Sequence, residues 1–266
     1  MFGRLLKRQE SGANKAVGQN QGNDVLYLTQ NKKGRDFVVG DIHGHFELFE
    51  QLLKAVDFNY DTDRIISVGD SIDRGPESQR ALEFLEKPWF YSIRGNHEAM
   101  LMASQAREYG IYELWMRNGG EWSDLVSEEF LNQLAKVYSD LPYAIEVETE
   151  NGKVGVLHAD IPPKMSWSEL TRGLESSKLK DKQRQMLLWS RESYKNLRKS
   201  RENPGIVREP QINDIYRVYV GHSIVNNPCL FGNLMFIDTG AYVTGKLTAV
   251  DLNHEEVIMV QNETCV

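Results

Sequence analysis

Three short β-branched or aromatic runs in the first hundred residues each stop at a glycine followed by Asp or Asn, and this repetition limits the fold more than any other feature. Phe37-Val38-Val39 ends at Gly40-Asp41, Ile65-Ile66-Ser67-Val68 at Gly69-Asp70, and Tyr91-Ser92-Ile93-Arg94 at Gly95-Asn96. Runs bounded in this way read as strands with tight turns at their carboxyl ends. Between them Leu48, Phe49, Leu52, Leu53 and Val56 recur at helical spacing, and Pro76 stands at a first helical position leading into Ala81, Leu82 and Leu85. Asp41 and Asp70 are 29 residues apart (70 − 41) and Asp70 and Asn96 are 26 apart (96 − 70), each one strand-loop-helix repeat. Successive βαβ units imply parallel strands with right-handed crossovers, and ligands in such sheets sit beyond the carboxyl ends of the strands. All three turns are therefore expected on one rim of an α/β fold.

The rest of the chain is arranged around that run. Residues 1–24 are rich in Gly, Asn, Gln, Lys and Arg without apolar periodicity and read as a flexible tail, with Leu5, Leu6, Lys7 and Arg8 as a sharper but weaker docking segment. Residues 25–266 then form one domain, for which 266 residues with 41% hydrophobic content are ample. A helical stretch is predicted over about 97–140. Strands are predicted over 143–149, 153–157, 215–220, 234–237, 247–252 and 257–260, several of them antiparallel. A polar stretch, 162–214, interrupts them and contains a helix near 181–190.

Charge and cysteine usage exclude several functions. Lys and Arg total 31 against 38 Asp and Glu, a net of −7, so the surface as a whole repels nucleic acid and anionic lipid, and neither is an expected partner. Only Cys229 and Cys265 occur, too few for a disulfide framework, and no apolar run resembles an export signal or a membrane span; a cytoplasmic protein is expected. Asn262-Glu263-Thr264 fits a glycosylation sequon only by chance in that setting.

Each turn taken alone is most often a helix cap or turn former. Together, Asp41 and His43, then Asp70, Asp73 and Arg74, then Asn96 and His97, gather oxygen and nitrogen donors suited to Mn, Fe or Zn rather than calcium. The motifs GDIHG, GDSIDRG and GNHE resemble the signatures of the PPP branch of the calcineurin-like metallophosphoesterases, nearest to the serine/threonine protein phosphatases of bacteria and phages such as the lambda enzyme. The match extends to His158 in VLHAD, to His222 in VGHS and to the segment Phe236 to Ala241, covering about residues 36–252.

The resemblance implies an αββα sandwich with mixed sheets and the metal site at the strands' carboxyl ends. It implies a first metal on Asp41, His43 and Asp70 and a second on Asp70, Asn96, His158 and His222, with Asp70 bridging. His97 would be the general acid, oriented by Asp73, while Arg74, Arg94 and Arg191 hold the phosphate. The implied cofactors are two divalent ions, Mn foremost, with Fe, Zn or Ni as alternatives. The implied reaction is hydrolysis of phosphoserine, phosphothreonine or phosphotyrosine in phosphoproteins and phosphopeptides by a metal-bridging hydroxide. Two metals neutralise the phosphate and lower the pKa of a shared water, arginines grip the remaining oxygens bidentately, and an imidazolium protonates the leaving alkoxide. Two rivals remain: a dinucleoside polyphosphate or cyclic nucleotide hydrolase of the same superfamily, and an inactive scaffold, which would be expected to have lost ligands that are all present here. His45 and His254 fit no such role, and Cys229 reads as packing.

Overall fold

Val38 and Val39 are fully buried and Phe37 nearly so, so both faces of their strand are covered and apolar alternation gives way to a continuous apolar run. In the computed structural model, which describes residues 23–207 and 209–262, this strand is β2 (Asp36–Val39). It pairs in parallel with β3 (Arg64–Ser67), and β3 pairs in parallel with β4 (Phe90–Ser92). Helix α1 (Phe46–Ala55) and a short 3-10 turn with α2 (Ala81–Leu85) form the crossovers. The predicted βαβαβ run is thus present, with Asp41, Asp70 and Asn96 just past the three strand ends.

Two antiparallel strands, β10 (Lys246–Asp251) and β11 (Val257–Gln261), complete a five-stranded sheet in the order β11-β10-β2-β3-β4. The second sheet has six strands in the order β1-β5-β6-β7-β9-β8. These are β1 (Val25–Leu28), β5 (Ala144–Thr149), β6 (Gly152–Leu157), β7 (Arg217–Val220), β8 (Cys229–Phe231) and β9 (Leu234–Phe236). Parallel β6-β7 and β7-β9 ladders stand beside antiparallel β5-β6 and β8-β9 ladders, so both sheets are mixed.

The sheets stack face to face. Val38, Ile66 and Val250 of one pack with Ile145, Val156, Tyr219 and Met235 of the other in a single apolar layer. On the outer face of the first sheet lie α1, α2, α3 (Asn96–Gln105), α4 (Ile111–Met116) and α5 (Glu128–Ser139), where Phe46 stacks on Phe84 at 4.7 Å. Helices α6 (Trp167–Glu175), α7 (Asp181–Trp189) and α8 (Glu192–Glu202) cover the second through Trp167, Leu170, Leu187 and Leu197. The result is the expected αββα sandwich, closed by a one-turn α9 (Ala241–Thr244). Among the described residues no helix is long and apolar enough to cross a membrane.

Several boundaries differ from the sequence reading for physical reasons. The stretch 97–140 is three helices and a 3-10 turn, broken where Gly110 and Gly119 take left-handed φ of 75° and 102°. Pro76 does not start α2: the Glu77 N–H donates to the Gly44 carbonyl at 2.9 Å, which draws this stretch toward the rim, and the helix begins at Ala81. β1 and β8, four and three residues long, escaped notice because neither alternates long enough to register. The polar stretch 162–214 is three helices rather than one. The proposed tail lies outside the described residues up to position 22, as do the sequon's Glu263 and Thr264 and also Cys265. Asp24 itself pairs with Arg184 at 2.8 Å.

Candidate active site

Loops from both sheets meet at one rim. Those after β2, β3 and β4 bring Asp41 and His43, then Asp70, Asp73 and Arg74, then Asn96 and His97; those after β6 and β7 bring His158 and His222. Asp41, His43, Asp70, Asn96, His158 and His222 are all buried. His43, Asp70, Asp73, Arg74 and His222 have φ between 45° and 72°, a left-handed conformation that non-glycine residues adopt at a cost and that gathers at functional sites. Gly69, at φ 92°, precedes Asp70, and any side chain there would stand 2.7 Å from the Gly95 nitrogen.

Asp70 is the hub. Its Oδ2 lies 3.3 Å from His158 Nε2, 3.7 Å from His43 Nε2 and 3.8 Å from His97 Nε2, and its Oδ1 accepts the His97 N–H at 3.0 Å at the start of α3. The buried Glu98 carboxylate accepts the backbone N–H groups of Asp70, Ser71 and Gly95 at 2.8–2.9 Å, locking two of the loops together.

Ring orientation follows from hydrogen bonding. His43 Nδ1 faces the Ile72 carbonyl at 2.9 Å and His158 Nδ1 the Val68 carbonyl at 2.8 Å; a carbonyl only accepts, so both Nδ1 atoms carry protons and both Nε2 lone pairs point inward. In the neutral ring His158 Nε2 meets Asn96 Oδ1 at 2.9 Å, acceptor against acceptor, and without a cation Asp70 favours a proton there. Lone pairs converging on a shared carboxylate need a cation between them, so this donor set fits metal ions. Among the described residues two groups satisfy ligand spacing, His43-Asp70-His97 and Asp70-His158-His222, with Asp70 in both. Asp41 borders them, accepting the His222 N–H at 3.0 Å, with Oδ2 4.0 Å from His43 Nε2. His222 Nε2 lies 3.3 Å from both the Trp189 carbonyl and Arg191 Nε, an acceptor and a donor that compete for it.

The electrostatics agree. Burial, then the carboxylates of Asp238 and Asp70, push Asp41 well above the usual carboxylate range. Burial acts to raise Asp70 too, but the imidazoles of His158, His97 and His43 overcome it and hold Asp70 well below that range. Burial and the neighbouring His97 keep His43 neutral, and burial and His158 lower His222 to about 3. In His158 the pull of Asp70 outweighs burial and raises the ring's pKa.

His97 falls within ligand spacing, yet its Nδ1 is 2.6 Å from Asp73 Oδ2. The fully buried Asp73 carboxylate also accepts from the indole N–H groups of Trp115, at 2.9 Å, and Trp122, at 2.6 Å. Neither tryptophan was singled out in the sequence, though Asn118-Gly119-Gly120-Glu121-Trp122 in a helical stretch was an available signal. Gly119 is required there because Arg74 passes so closely that a Cβ would meet its backbone nitrogen at 2.7 Å.

The arginines divide. Arg74 and Arg191 line the same pocket as His43, Asp70, Asn96, His97, Asn118, Trp189 and His222, a cleft of about 220 Å³. Arg74 lies over the ring of Tyr242 at 4.3 Å, and Arg191 Nη2 donates to the His222 carbonyl at 3.2 Å. Arg94 is not in that lining: its guanidinium donates to Tyr143 Oη and to the carbonyls of Ser139 and Leu141, tethering the α5–β5 connection. Tyr242, edge-on to His43 at 4.9 Å, is a further site residue the sequence did not announce. His45 stands at the start of α1, His254 pairs with Asp251 at 3.0 Å, and Cys229 is half-buried in β8; none lines the pocket.

A sandwich whose strand ends gather buried Asp, Asn and His around a shared carboxylate is the architecture of a metal-dependent phosphoesterase. The family model described as calcineurin-like phosphoesterase matches residues 37–225, and the chain belongs to that family of hydrolases. It is similar to serine/threonine-protein phosphatase 2 of Escherichia coli strain K12, 37% identical over 216 residues, covering 80% of this chain and 90% of that protein. A symmetrical bis(5'-nucleosyl)-tetraphosphatase of Chromobacterium violaceum is 39% identical over only 69 residues, a quarter of each chain. A solved structure described as a diadenosine tetraphosphatase superposes with a TM-score of 0.61 at 23% identity, covering 91% of this chain and 99% of that one, a likeness of fold.

Proposed function

We propose that the chain is a protein phosphatase that hydrolyses phosphoserine and phosphothreonine monoesters, with two divalent ions, Mn foremost, held by Asp41, His43 and Asp70 and by Asp70, Asn96, His158 and His222. Mixed oxygen and nitrogen donors favour such ions over calcium or magnesium. The ion pair supplies charge neutralisation and a nucleophile at neutral pH. The rest falls to side chains. Asp73 and the two indoles fix His97 so that Nδ1 faces the carboxylate and Nε2 faces the cleft; a proton at Nε2 is delivered to the departing serine or threonine oxygen. Arg74 and Arg191 grip the phosphoryl oxygens from two sides. Arg94 is left out of that grip because its two Nη groups are engaged at the α5–β5 connection.

The observation that carries this reading is the His97–Asp73 pair beside the shared Asp70, which equips the site to protonate a poor alkoxide leaving group. Similarity over nine-tenths of a serine/threonine-protein phosphatase, against a quarter to about half of the bis(5'-nucleosyl)-tetraphosphatases, supports a protein substrate. Measuring kcat/KM with Mn on phosphoserine, phosphothreonine and phosphotyrosine peptides beside diadenosine tetraphosphate tests it. A clear preference for phosphoserine and phosphothreonine peptides is expected. A preference for the dinucleotide overturns the substrate assignment, and full activity in metal-stripped protein overturns the chemistry.

A further inference from the structure

Asp160 is a buried acid that the reaction does not use. It lies two residues past His158, with 2% of its surface exposed. Its four short contacts all reach donors. Oδ1 accepts the Ile161 N–H at 3.0 Å and the Ser193 hydroxyl at 2.8 Å, while Oδ2 accepts the Ser193 N–H at 2.9 Å and the Ser190 hydroxyl at 3.1 Å. Three of these come from the turn Ser190-Arg191-Glu192-Ser193, where α7 ends and α8 begins. That turn carries Arg191, the cap residue of α8 at φ −121° and ψ 26°, and follows directly on Trp189; both line the cleft. A second tie runs alongside, from the Ala159 N–H to the Leu187 carbonyl at 2.9 Å.

We infer that Asp160 is a positioning residue for phosphate binding: it clamps the α7–α8 turn to the strand end that carries His158, and so holds the Arg191 guanidinium at a fixed distance from the metal ligands. The geometry gives the clamp three functions. The carboxylate satisfies first-turn N–H and hydroxyl groups of α8 and places negative charge at that helix's positive end, as a cap supplied from another part of the chain. It fixes a long side chain by fixing its backbone, which lowers the entropy lost when the fork closes on phosphate. It also links the second sheet's metal ligand and its arginine through one side chain, so the two keep register. The sequence hides this arrangement, because Asp160 and Ser193 are 33 residues apart.

The inference rests on the reading in which Arg191 grips the phosphate, and the test separates the two. Asp160→Asn keeps the shape but turns amide hydrogens toward the Ser193 N–H or the serine hydroxyls. With p-nitrophenyl phosphate as substrate and inorganic phosphate as ligand, the variant is expected to raise KM and the phosphate dissociation constant measured by calorimetry by roughly tenfold, the scale of losing a charge-assisted contact. Metal content should be unchanged and kcat less affected than KM. Arg191→Ala should weaken phosphate similarly, and adding Asp160→Asn to it should cost almost nothing more, since the clamp acts only through the arginine. Ser193→Ala, a milder cut that leaves the carboxylate in place, should shift phosphate binding in the same direction by a smaller factor. If Arg191→Ala weakens phosphate but Asp160→Asn does not, or does so equally in both backgrounds, the clamp is refuted and the arginine's role survives. If Arg191→Ala leaves phosphate binding unchanged, the phosphate reading falls first and the inference with it.

Discussion

The two halves of the rim were built differently. Residues 36–105 form a continuous βαβαβ run, and eight of the eleven candidate residues, Asp41, His43, Asp70, Asp73, Arg74, Arg94, Asn96 and His97, fall within it. The other three, His158, Arg191 and His222, are spread along a segment interrupted by three helices. The first half places its ligands through local repetition, each two to four residues past a strand end. The second half depends on long-range ties such as the Gly221 N–H to the His158 carbonyl at 2.8 Å. Charge separates the halves as well: Asp70 draws in histidines from both, whereas among the described residues no partner from the second half enters the Asp73–His97 pair.

Replacing the hub should produce the largest loss. Asp70→Asn belongs to both metal groups, and it is expected to cut kcat/KM by about 10⁴-fold while both ions are lost on elemental analysis. His222→Ala, in the second group alone, should release one ion and keep the other. Equal loss of both ions from the two variants would erase the distinction between a shared and a one-sided ligand. His97→Asn should lower kcat by roughly 10²–10³-fold on a phosphoserine peptide with both ions retained, and by much less on an aryl phosphate whose leaving group needs little protonation. An equal penalty on both substrates would return His97 to the ligand set.

A pH series of thermal melts sharpens the contrast further. Asp41 is raised by burial and neighbouring carboxylates and Asp238 is raised by burial to about 6, so the fold holds these protons more tightly than the unfolded chain does. Their contribution to metal-free stability is therefore greatest below the ordinary carboxylate range and is lost as pH rises through about 6. His158, also raised, has a proton to surrender before ligating, whereas His222 at about 3 is neutral throughout. Metal binding displaces those protons, so the rise in Tm on adding Mn is expected to grow between pH 5 and pH 7. A pH-independent rise would contradict the buried carboxylates. The smallest effect belongs to Arg94→Ala, which should change KM by less than about threefold and cost roughly 1–2 kcal/mol of stability, because its donors serve the α5–β5 connection. A large rise in KM would mean that the side chain swings into the cleft.

The same contrast explains what the sequence made legible. The parallel run of β2, β3 and β4 and the three turns could be read from Gly-Asp and Gly-Asn punctuation, because a βαβ repeat converts sequence spacing into spatial adjacency. His158 and His222 were reached through resemblance rather than periodicity. The parts played by Trp115, Trp122, Glu98, Tyr242 and Asp160 could not be read from spacing, since each acts by tertiary contacts from 27 to 199 residues away: Ser71 and Glu98 are 27 apart (98 − 71) and His43 and Tyr242 are 199 (242 − 43). Arg94 shows the converse limit. A motif locates its Cα, but the side chain's direction was decided by Tyr143 and two carbonyls that no motif contains.

Because Asp41, His43, Asp70 and Asn96 hang from one sheet and His158 and His222 from the other, the centre also acts as a clasp between two layers. Along most of the seam the layers adhere through hydrocarbon; at the rim they meet through strained loops, where the carboxylates of Asp41 and Asp238 oppose each other and the pull between Asp70 and His158 is the main tie until ions bind. The seam is therefore graded, tight at its floor and loose at its mouth. In protein stripped of metal the amides beside His158 and Asn96 should exchange with solvent long before those of Val38 or Val156, so that occupancy of the site is written into how far the sandwich breathes.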